Sequence, residues 1–492
     1  MTNHEGVHRR AVLGLLGATT AATLTPAVPA AAGPGAGPEH AEPHGLAGRV
    51  YRPGEPGYAE HTATYNLVRA PRPGLVVAAA DAGDVRIAVR HAARHHRPVA
   101  VLATGHQPSV PIGRDAILVS TRDLRRVTVD ARRRVARVEA GARWQDVVDR
   151  TVPAGLAPLV GSAGSVGVVG YTLGGGLSPT LGRRYGYAAD HVRRIDVVTA
   201  DGRLREVTAT SDPELFFGLR GGKSNFGLVT AVEFDLFPVT SYYGGSITFA
   251  GAEAGRLLHA YRRWVRTVPD EMSSSVALMR YPDADGLPPA LRGKAAAVLR
   301  VAYIGDAARG AALVRPLRDL ARPIADTVAR QPYTAFGGIH SDPVDPLPAY
   351  ERSGLLRELA AETVDTLVKL AGPDAPVPIT IVEVRHLGGA LARPSRAPSA
   401  VSHRDAAFSL FMAGVAGPGQ AAATRAAEDA VVRGLRPWST GGLYVNFLSA
   451  DEASRDAVRH AYRPDVYRRL RALKRRVDPG NLFRLNHNIP PA

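Results

Sequence analysis

Short apolar runs separated by turns fill the first half of the chain. Residues 75–96 read as an apolar run, a turn at Asp81–Asp84 and an amphipathic stretch that ends in basic residues, a pattern typical of a strand followed by a helix. Residues 192–208 predict a hairpin with Asp201-Gly202 as its turn. Further strands are predicted at residues 98–103, 116–120, 125–130 and 134–141. This half therefore predicts an α+β fold with many short strands.

The pattern changes between about residues 240 and 440. Predicted strands alternate there with long helices rich in Ala, Arg and Leu. The strands are expected at residues 243–250, 297–305 and 378–389. This part predicts a second domain in which an antiparallel sheet is backed by helices.

Composition excludes several classes of protein. The chain has 492 residues, of which 45% are hydrophobic and 22% charged, so it is globular and not disordered. Its net charge of +16 fits a nucleic-acid surface or a solvated basic face; because no nucleic-acid motif accompanies the arginine runs, we expect no nucleic-acid partner. The absence of cysteine excludes disulfides, thiolate catalysis and zinc-thiolate sites, and we expect no metal.

The N-terminus predicts an export signal. Arg9-Arg10 precedes a mildly apolar stretch and an Ala-rich segment, which resembles a twin-arginine signal over residues 1–32. The apolar stretch is too short to span a bilayer, and no later segment has 18 consecutive apolar residues, so no membrane anchor is expected. We therefore expect export by the twin-arginine machinery and a secreted protein, with a flexible lead-in over residues 33–60.

Three segments carry the candidate chemistry. In the first, the strand at residues 98–103 breaks into Thr104-Gly105-His106-Gln107, where the glycine lets the backbone approach a ligand closely and an imidazole follows. Residues 165–187 form a second, glycine-dense segment, and residues 478–491 close the chain. The glycines do not follow the dinucleotide-binding spacing, but backbone amides in such a stretch can still hold a pyrophosphate.

Taken together, these segments resemble the berberine-bridge-enzyme-like FAD-linked oxidases, the group that includes the hydroxynicotine oxidases. The resemblance implies a two-lobed FAD-binding domain of the vanillyl-alcohol-oxidase (PCMH) type in residues 61–239, a substrate-binding domain in residues 240–440, and a segment at 441–492 that returns to the first domain. It implies that FAD is bound by Thr104, Gly105, His106, Gln107, Val166, Gly167, Gly170, Tyr171, Gly174, Val229, Asn446, Asn486 and Asn488.

The resemblance also implies how the flavin is attached. In that family the histidine at the position of His106 is bonded to a methyl group of the flavin ring. Relatives with a second link use a cysteine, and Ala163 occupies its position, so a single covalent link is expected. Tyr171 stands where the family has a histidine, and Val166 matches a position where valine accompanies reaction with oxygen.

Two residues are candidates for the catalytic base. Tyr444, in a Tyr-x-Asn element with Asn446, matches a tyrosine that is catalytic in several relatives, and it is our first choice. Glu383 is the second choice, because alternation along residues 381–389 places it with Arg385 on one face of a strand, either in a cleft or at a solvent-facing edge.

The expected function is therefore hydride transfer from a small alcohol, sugar or amine to FAD, followed by reoxidation by dioxygen to hydrogen peroxide. The alternative is a secreted flavin- or ligand-binding protein on the same fold that does not turn over.

Overall fold

A computed structural model of the chain describes residues 42–107, 110–415, 417 and 419–492. The export signal expected over residues 1–32 lies outside them. The strands of this part are β1 Arg49–Tyr51, β2 Leu75–Ala78, β3 Val99–Leu102, β4 Ile117–Ser120, β5 Val127–Asp130, β6 Val135–Glu139, β7 Val192–Val198, β8 Leu204–Val207, β9 Leu228–Asp235, β10 Ser241–Ala250, β11 Met272–Arg280, β12 Ala295–Tyr303, β13 Ala325–Asp326, β14 Ala329–Pro332, β15 Ala349–Leu356, β16 Ile381–His386 and β17 Phe408–Val415.

The α-helices of the same residues are α1 Tyr58–Thr62, α2 Ala82–Arg94, α3 Trp144–Thr151, α4 Val168–Leu173, α5 Gly182–Tyr185, α6 Pro213–Leu219, α7 Ala254–Trp264, α8 Ala307–Arg318, α9 Ala361–Ala371, α10 Ala421–Gly434, α11 Arg455–His460 and α12 Pro464–Val477. Among the residues so described, no helix combines the length and the apolar character needed to cross a bilayer.

The first sheet has the strand order β1-β2-β4-β3. Strands β2, β4 and β3 run parallel to one another. Strands β2 and β4 are buried along their whole length, as expected for strands of a parallel sheet with both faces covered. Helix α2 begins at Ala82, inside the predicted turn, because the Asp81 carboxylate caps the backbone amides of Gly83 and Asp84 at 2.7 and 3.0 Å.

The flexible lead-in expected over residues 33–60 is wrong for its described part, residues 42–60. Strand β1 pairs antiparallel with β2. The reason is the buried carboxylate of Asp84, which accepts hydrogen bonds from the backbone amides of Ala47 at 2.8 Å and Gly48 at 2.9 Å. Helix α2 therefore fixes the segment that precedes the first sheet.

The second sheet is antiparallel, with the order β5-β6-β9-β7-β8. The predicted hairpin is confirmed: β7 pairs antiparallel with β8, and Gly202 adopts a φ of 70° in the turn. The core against this sheet includes Trp144 and Phe234, whose rings meet edge to face. The first two sheets form the first lobe, from which the glycine-rich segments project.

The third sheet forms the second lobe and has eight strands. Its main order is β13-β10-β12-β11-β16-β17-β15, with β14 paired to β10. All of its neighbouring strands are antiparallel, so the antiparallel sheet expected here is confirmed. In β16, Val382 and Val384 pack in the core with residues of helices α7 to α10, whereas Glu383 and Arg385 lie on the opposite face, towards the first lobe.

The end of the chain packs on the first lobe. The ammonium group of Lys474 in α12 is fully buried and donates to the carbonyls of Asn225 at 2.7 Å and Phe483 at 3.1 Å. Asp478 pairs with Lys474 and accepts from the amides of Leu482 and Phe483. Leu482 and Phe483 then enter the core of the first sheet, so this segment closes the first lobe.

Candidate active site

A cavity of about 450 Å³ lies between the first lobe and the face of the third sheet that is not covered by helices. Its wall contains every candidate site residue except Gly174 and Asn488. The candidates on the wall are Thr104, Gly105, His106, Gln107, Val166, Gly167, Gly170, Tyr171, Val229, Glu383, Tyr444, Asn446 and Asn486. Three chain segments and two lobes thus meet at one place.

His106 stands at the end of the turn that follows β3. Gly105 before it has a φ of +71°, and a Cβ there would lie 2.6 Å from the Ala63 carbonyl, so the turn requires glycine. The imidazole stacks on Tyr65, with ring centroids 5.1 Å apart, and is reached from the cavity. The ring is exposed to the cavity but enclosed by the surrounding protein, and this desolvation lowers the pKa of His106. Asp342 opposes the shift and Lys223 adds to it, so the ring is neutral near pH 7.

The glycine-dense segment lies directly against this turn. A Cβ on Gly167 would come 2.9 Å from the Thr104 hydroxyl, so the two segments touch through glycine backbone. Gly170 opens onto the cavity, because no atom lies within 4 Å of the place where its Cβ would stand. A flat ligand can therefore lie against the backbone of α4.

Tyr444 and Asn446 reach the cavity from the C-terminal segment. The Asn446 amide donates to the Tyr171 carbonyl at 2.8 Å and to the Tyr444 hydroxyl at 3.5 Å. Burial raises the pKa of the Tyr444 phenol, although hydrogen bonds from Asn446 and from the backbone of Gly176 and Leu177 act to lower it. The phenol is therefore neutral at pH 7, but its oxygen is surrounded by donors that favour the ionised form.

The remaining predicted cofactor residues differ in their access. Asn486 is anchored by donating to the Phe483 carbonyl at 3.1 Å, and its amide oxygen stays free for the cavity. Val229 lies on β9 at the first-lobe side of the wall. Gly174 lies behind the wall against Asn446, where any side chain would collide with the amide. Asn488 lies beyond the wall, so the structure does not bring it into the cavity.

Glu383 lies in the centre of the sheet, which excludes the alternative of a solvent-facing edge. Its carboxylate accepts from Ser275 at 2.5 Å and pairs with Arg385 at 2.9 Å and Arg300 at 3.2 Å. His340 is 3.3 Å away. Burial alone would raise the pKa of this carboxyl, but Arg385, His340 and Arg300 together hold it well below its usual value. Glu383 is therefore a firmly ionised, weakly basic carboxylate.

A second carboxyl group on the wall, that of Glu351 in β15, was not indicated by any sequence pattern. It accepts a hydrogen bond of 2.6 Å from Gln107, the residue after His106. Burial, with Glu452 nearby, raises the pKa of Glu351 to about 7. Lys223 faces it, and burial lowers the pKa of that ammonium group to about 8. Both groups change charge close to neutral pH, beside the histidine turn.

These residues fit a flavin. The Asn486 amide oxygen is buried, lines the cavity and has no hydrogen-bond partner among the described residues, so it can serve the polar edge of a bound ring system. The neutral imidazole of His106 offers a nitrogen lone pair. In the described ranges, no group of three or more acidic or histidine side chains is arranged to hold a metal ion.

Comparison with known proteins identifies both parts of the site. The FAD binding domain family matches residues 73–208, and the berberine and berberine-like family matches residues 443–490. The chain is 28% identical to (R)-6-hydroxynicotine oxidase of Paenarthrobacter nicotinovorans over 462 residues, covering 92% of this chain and 98% of the relative. An uncharacterised FAD-linked oxidoreductase of Bacillus subtilis (strain 168) is 26% identical, covering 91% and 97% of the two chains.

Solved structures show the same fold. The crystal structure of 6-hydroxy-D-nicotine oxidase from Arthrobacter nicotinovorans superimposes with a TM-score of 0.79 at 25% identity, covering 91% of this chain and 99% of that one. The xylooligosaccharide oxidase from Myceliophthora thermophila C1 gives a TM-score of 0.77 at 21% identity, covering 90% and 97%. Both family matches fall on segments that line the cavity, and the relatives are FAD-linked enzymes. The chain is an FAD-linked oxidoreductase that carries an FAD binding domain and a berberine-like segment.

Proposed function

We propose that this enzyme holds one FAD by a single covalent bond to His106 and oxidises a small alcohol, sugar or amine with dioxygen as the acceptor. The observation that carries the proposal is the neutral imidazole of His106 opening into the cavity that Tyr444 and Asn446 also line. The names of similar proteins support the substrate class, since they include a hydroxynicotine oxidase, a chitooligosaccharide oxidase and a xylooligosaccharide oxidase.

The chemistry that a bound FAD would supply is acceptance of a hydride from the substrate and transfer of both electrons to dioxygen, which would release hydrogen peroxide. The first lobe supplies the attachment: His106 presents its lone pair, and Gly105, Gly167 and Gly170 allow the backbone to approach the cofactor. The chain has no cysteine, so a second link through sulfur is impossible. Val166 lies on the wall at the position expected to govern oxygen access.

Tyr444 is proposed to receive the hydroxyl or amine proton of the substrate. Burial raises the pKa of this phenol, so it is protonated at rest and accepts a proton only after its own has left to the solvent. Hydrogen bonds to its oxygen from Asn446 and from the backbone of Leu177 and Gly176 oppose the effect of burial and favour that ionised form. Glu383 is the weaker candidate for the base, because its carboxylate already accepts a hydrogen bond from Ser275 and pairs with two guanidinium groups.

Export through the twin-arginine pathway is proposed from Arg9-Arg10 and the Ala-rich stretch that follows them. That pathway moves folded proteins, so the flavin can be attached before export. Secretion is tested by expressing the full chain in a bacterial host and comparing the medium with that of an Arg9→Lys, Arg10→Lys variant. Equal amounts of both proteins outside the cell would exclude this route.

The covalent link is tested on the purified, full-length enzyme. Denatured wild-type protein should keep yellow fluorescence on a gel, and mass spectrometry of a tryptic digest should find FAD on the peptide that contains His106. His106→Ala should lose both signals, whereas His44→Ala, at an exposed histidine of the first lobe, should keep them. Flavin-bearing protein with an unmodified His106 peptide would overturn the proposal.

A further inference from the structure

The second-lobe wall of the cavity carries more positive than negative charge. We name this wall the arginine wall; it consists of Arg300, His340, Glu383 and Arg385, and Ser275 supports it from outside the cavity by donating a hydrogen bond to Glu383. Two guanidinium groups share one carboxylate, at 3.2 Å for Arg300 and 2.9 Å for Arg385. Burial, followed by the neighbouring Arg300, lowers the pKa of His340, so this imidazole adds no charge at pH 7. The arginine wall therefore holds one surplus positive charge.

The other charged groups of the cavity form no ion pair with the arginine wall among the described residues. The guanidinium group of Arg280 donates hydrogen bonds to backbone carbonyls, among them those of Gly372 at 2.6 Å and Ile379 at 3.1 Å. Glu351 faces Gln107 and Lys223. Asp342 acts electrostatically on His106 and Tyr65. None of these contacts neutralises the surplus charge of the arginine wall.

Arg385 has a donor that the protein does not use. Its Nε is buried and lacks a hydrogen-bond partner in the described part of the chain. The Tyr171 hydroxyl is likewise buried and unpartnered, and Arg385 is close enough to lower the pKa of that phenol against the effect of its burial. Two unused donors from opposite lobes thus line one cavity beside a surplus positive charge. Leaving such groups unpaired is costly unless a ligand supplies the acceptor.

We propose that the substrate of this oxidase carries a carboxylate, which Arg385 binds together with the Tyr171 hydroxyl. The proposal rests on the proposed function and specifies its substrate class. A carboxylate contributes one negative charge and balances the arginine wall, whereas a phosphate monoester, with about two charges at pH 7, would leave one unpaired. The Nε of Arg300 is also buried without a partner among the described residues, but both of its other nitrogens are held, Nη1 by Glu383 and Nη2 by the His340 carbonyl at 3.3 Å. Its side chain is 5% exposed against 12% for Arg385, so we assign the ligand to Arg385.

The test uses probes on one ring scaffold and does not require turnover. Benzoate, benzamide, benzylamine and phenyl phosphate are titrated into the flavin-loaded enzyme, and binding is followed by calorimetry and by the visible flavin spectrum. We expect benzoate to bind about 10- to 100-fold more tightly than benzamide, the range of a charge-assisted hydrogen bond. Benzylamine and phenyl phosphate should bind more weakly than benzoate.

Variants identify the residue that causes the preference for benzoate over benzamide. Arg385→Gln keeps the pair of Arg300 with Glu383 and should reduce the ratio of benzoate to benzamide affinity to about one. Arg385→Lys keeps the charge but loses the planar fork, so its ratio should fall in between. Arg330→Gln removes the same charge from an exposed position of β14 in the same sheet and should leave the ratio unchanged.

Three results would overturn the proposal of a carboxylate substrate. Equal binding of benzoate and benzamide to the wild type would overturn the proposal, as would a preference for phenyl phosphate or equal losses in Arg385→Gln and Arg330→Gln. The wild-type comparison and Arg385→Lys keep the test valid if Arg385→Gln does not fold. An enzyme that carries FAD and oxidises uncharged substrates but shows no carboxylate preference would keep the proposed function and lose this inference.

Discussion

Replacing Glu383 by Gln should destabilise the enzyme strongly, because it leaves two guanidinium groups together without their anion. The side chains of Arg300 and Arg385 are 5% and 12% exposed, so water cannot replace the lost carboxylate. Breaking a buried pair in this way costs about 3–5 kcal/mol. Arg385→Gln keeps one ion pair and should cost only about 1–3 kcal/mol, as for the loss of a charged hydrogen bond.

The effect should depend on pH. Arginine neighbours depress the folded-state pKa of Glu383 below its usual value of 4.5, so its stabilisation is complete above that value and is lost as the pH falls through the folded-state pKa. Urea unfolding followed by circular dichroism at neutral and acidic pH measures the difference between wild type and Glu383→Gln. The difference should be largest at pH 7 and shrink in acid. A penalty below about 1 kcal/mol at pH 7, or a larger one for Arg385→Gln, would refute this account of the arginine wall.

Three further predictions concern the cofactor side. Tyr444→Phe should slow anaerobic flavin reduction by about 10²–10⁴-fold and leave the covalent flavin intact, because it removes the proton acceptor and keeps the ring; a wild-type rate in stopped flow would remove Tyr444 from the mechanism. Glu351 has a pKa near 7 and contacts Gln107, so the visible flavin spectrum should titrate near pH 7 in the wild type and not in Glu351→Gln; titration in both would assign it to another group. Gly105→Ala should lower flavin content per chain because of its φ of +71°, whereas Gly255→Ala, in an open position of α7, should not.

Local features of the cofactor site could be predicted from the sequence because they depend on a few consecutive residues. The strand that ends in Gly105-His106 needs only an apolar run and a residue that tolerates positive φ. Alternation along β16 places Glu383 and Arg385 on one face whatever their neighbours are. The lead-in was misjudged because its structure depends on Asp84, a carboxylate in a later helix that holds the backbone of Gly48.

The arginine wall could not be predicted in the same way, since its members come from strands whose neighbours are set by the whole sheet. Ser275 of β11 pairs with Arg300 of β12 on one side and with Arg385 of β16 on the other. A shift of one residue in either register would turn a guanidinium group to the helix-covered face. Glu351 shows the same limit, because only the pairing of β15 at the end of the sheet carries it to Gln107.

This difference follows from how the two lobes bind their ligands. The first lobe offers backbone at glycines for close approach to a cofactor. The need for glycine at those turns can be recognised from a few consecutive residues. The second lobe is proposed to meet the substrate with side chains spread over several strands, and their meeting depends on strand pairing that no local pattern records. Arg385, the proposed carboxylate-binding residue, lies on that lobe, outside both segments that match the family models.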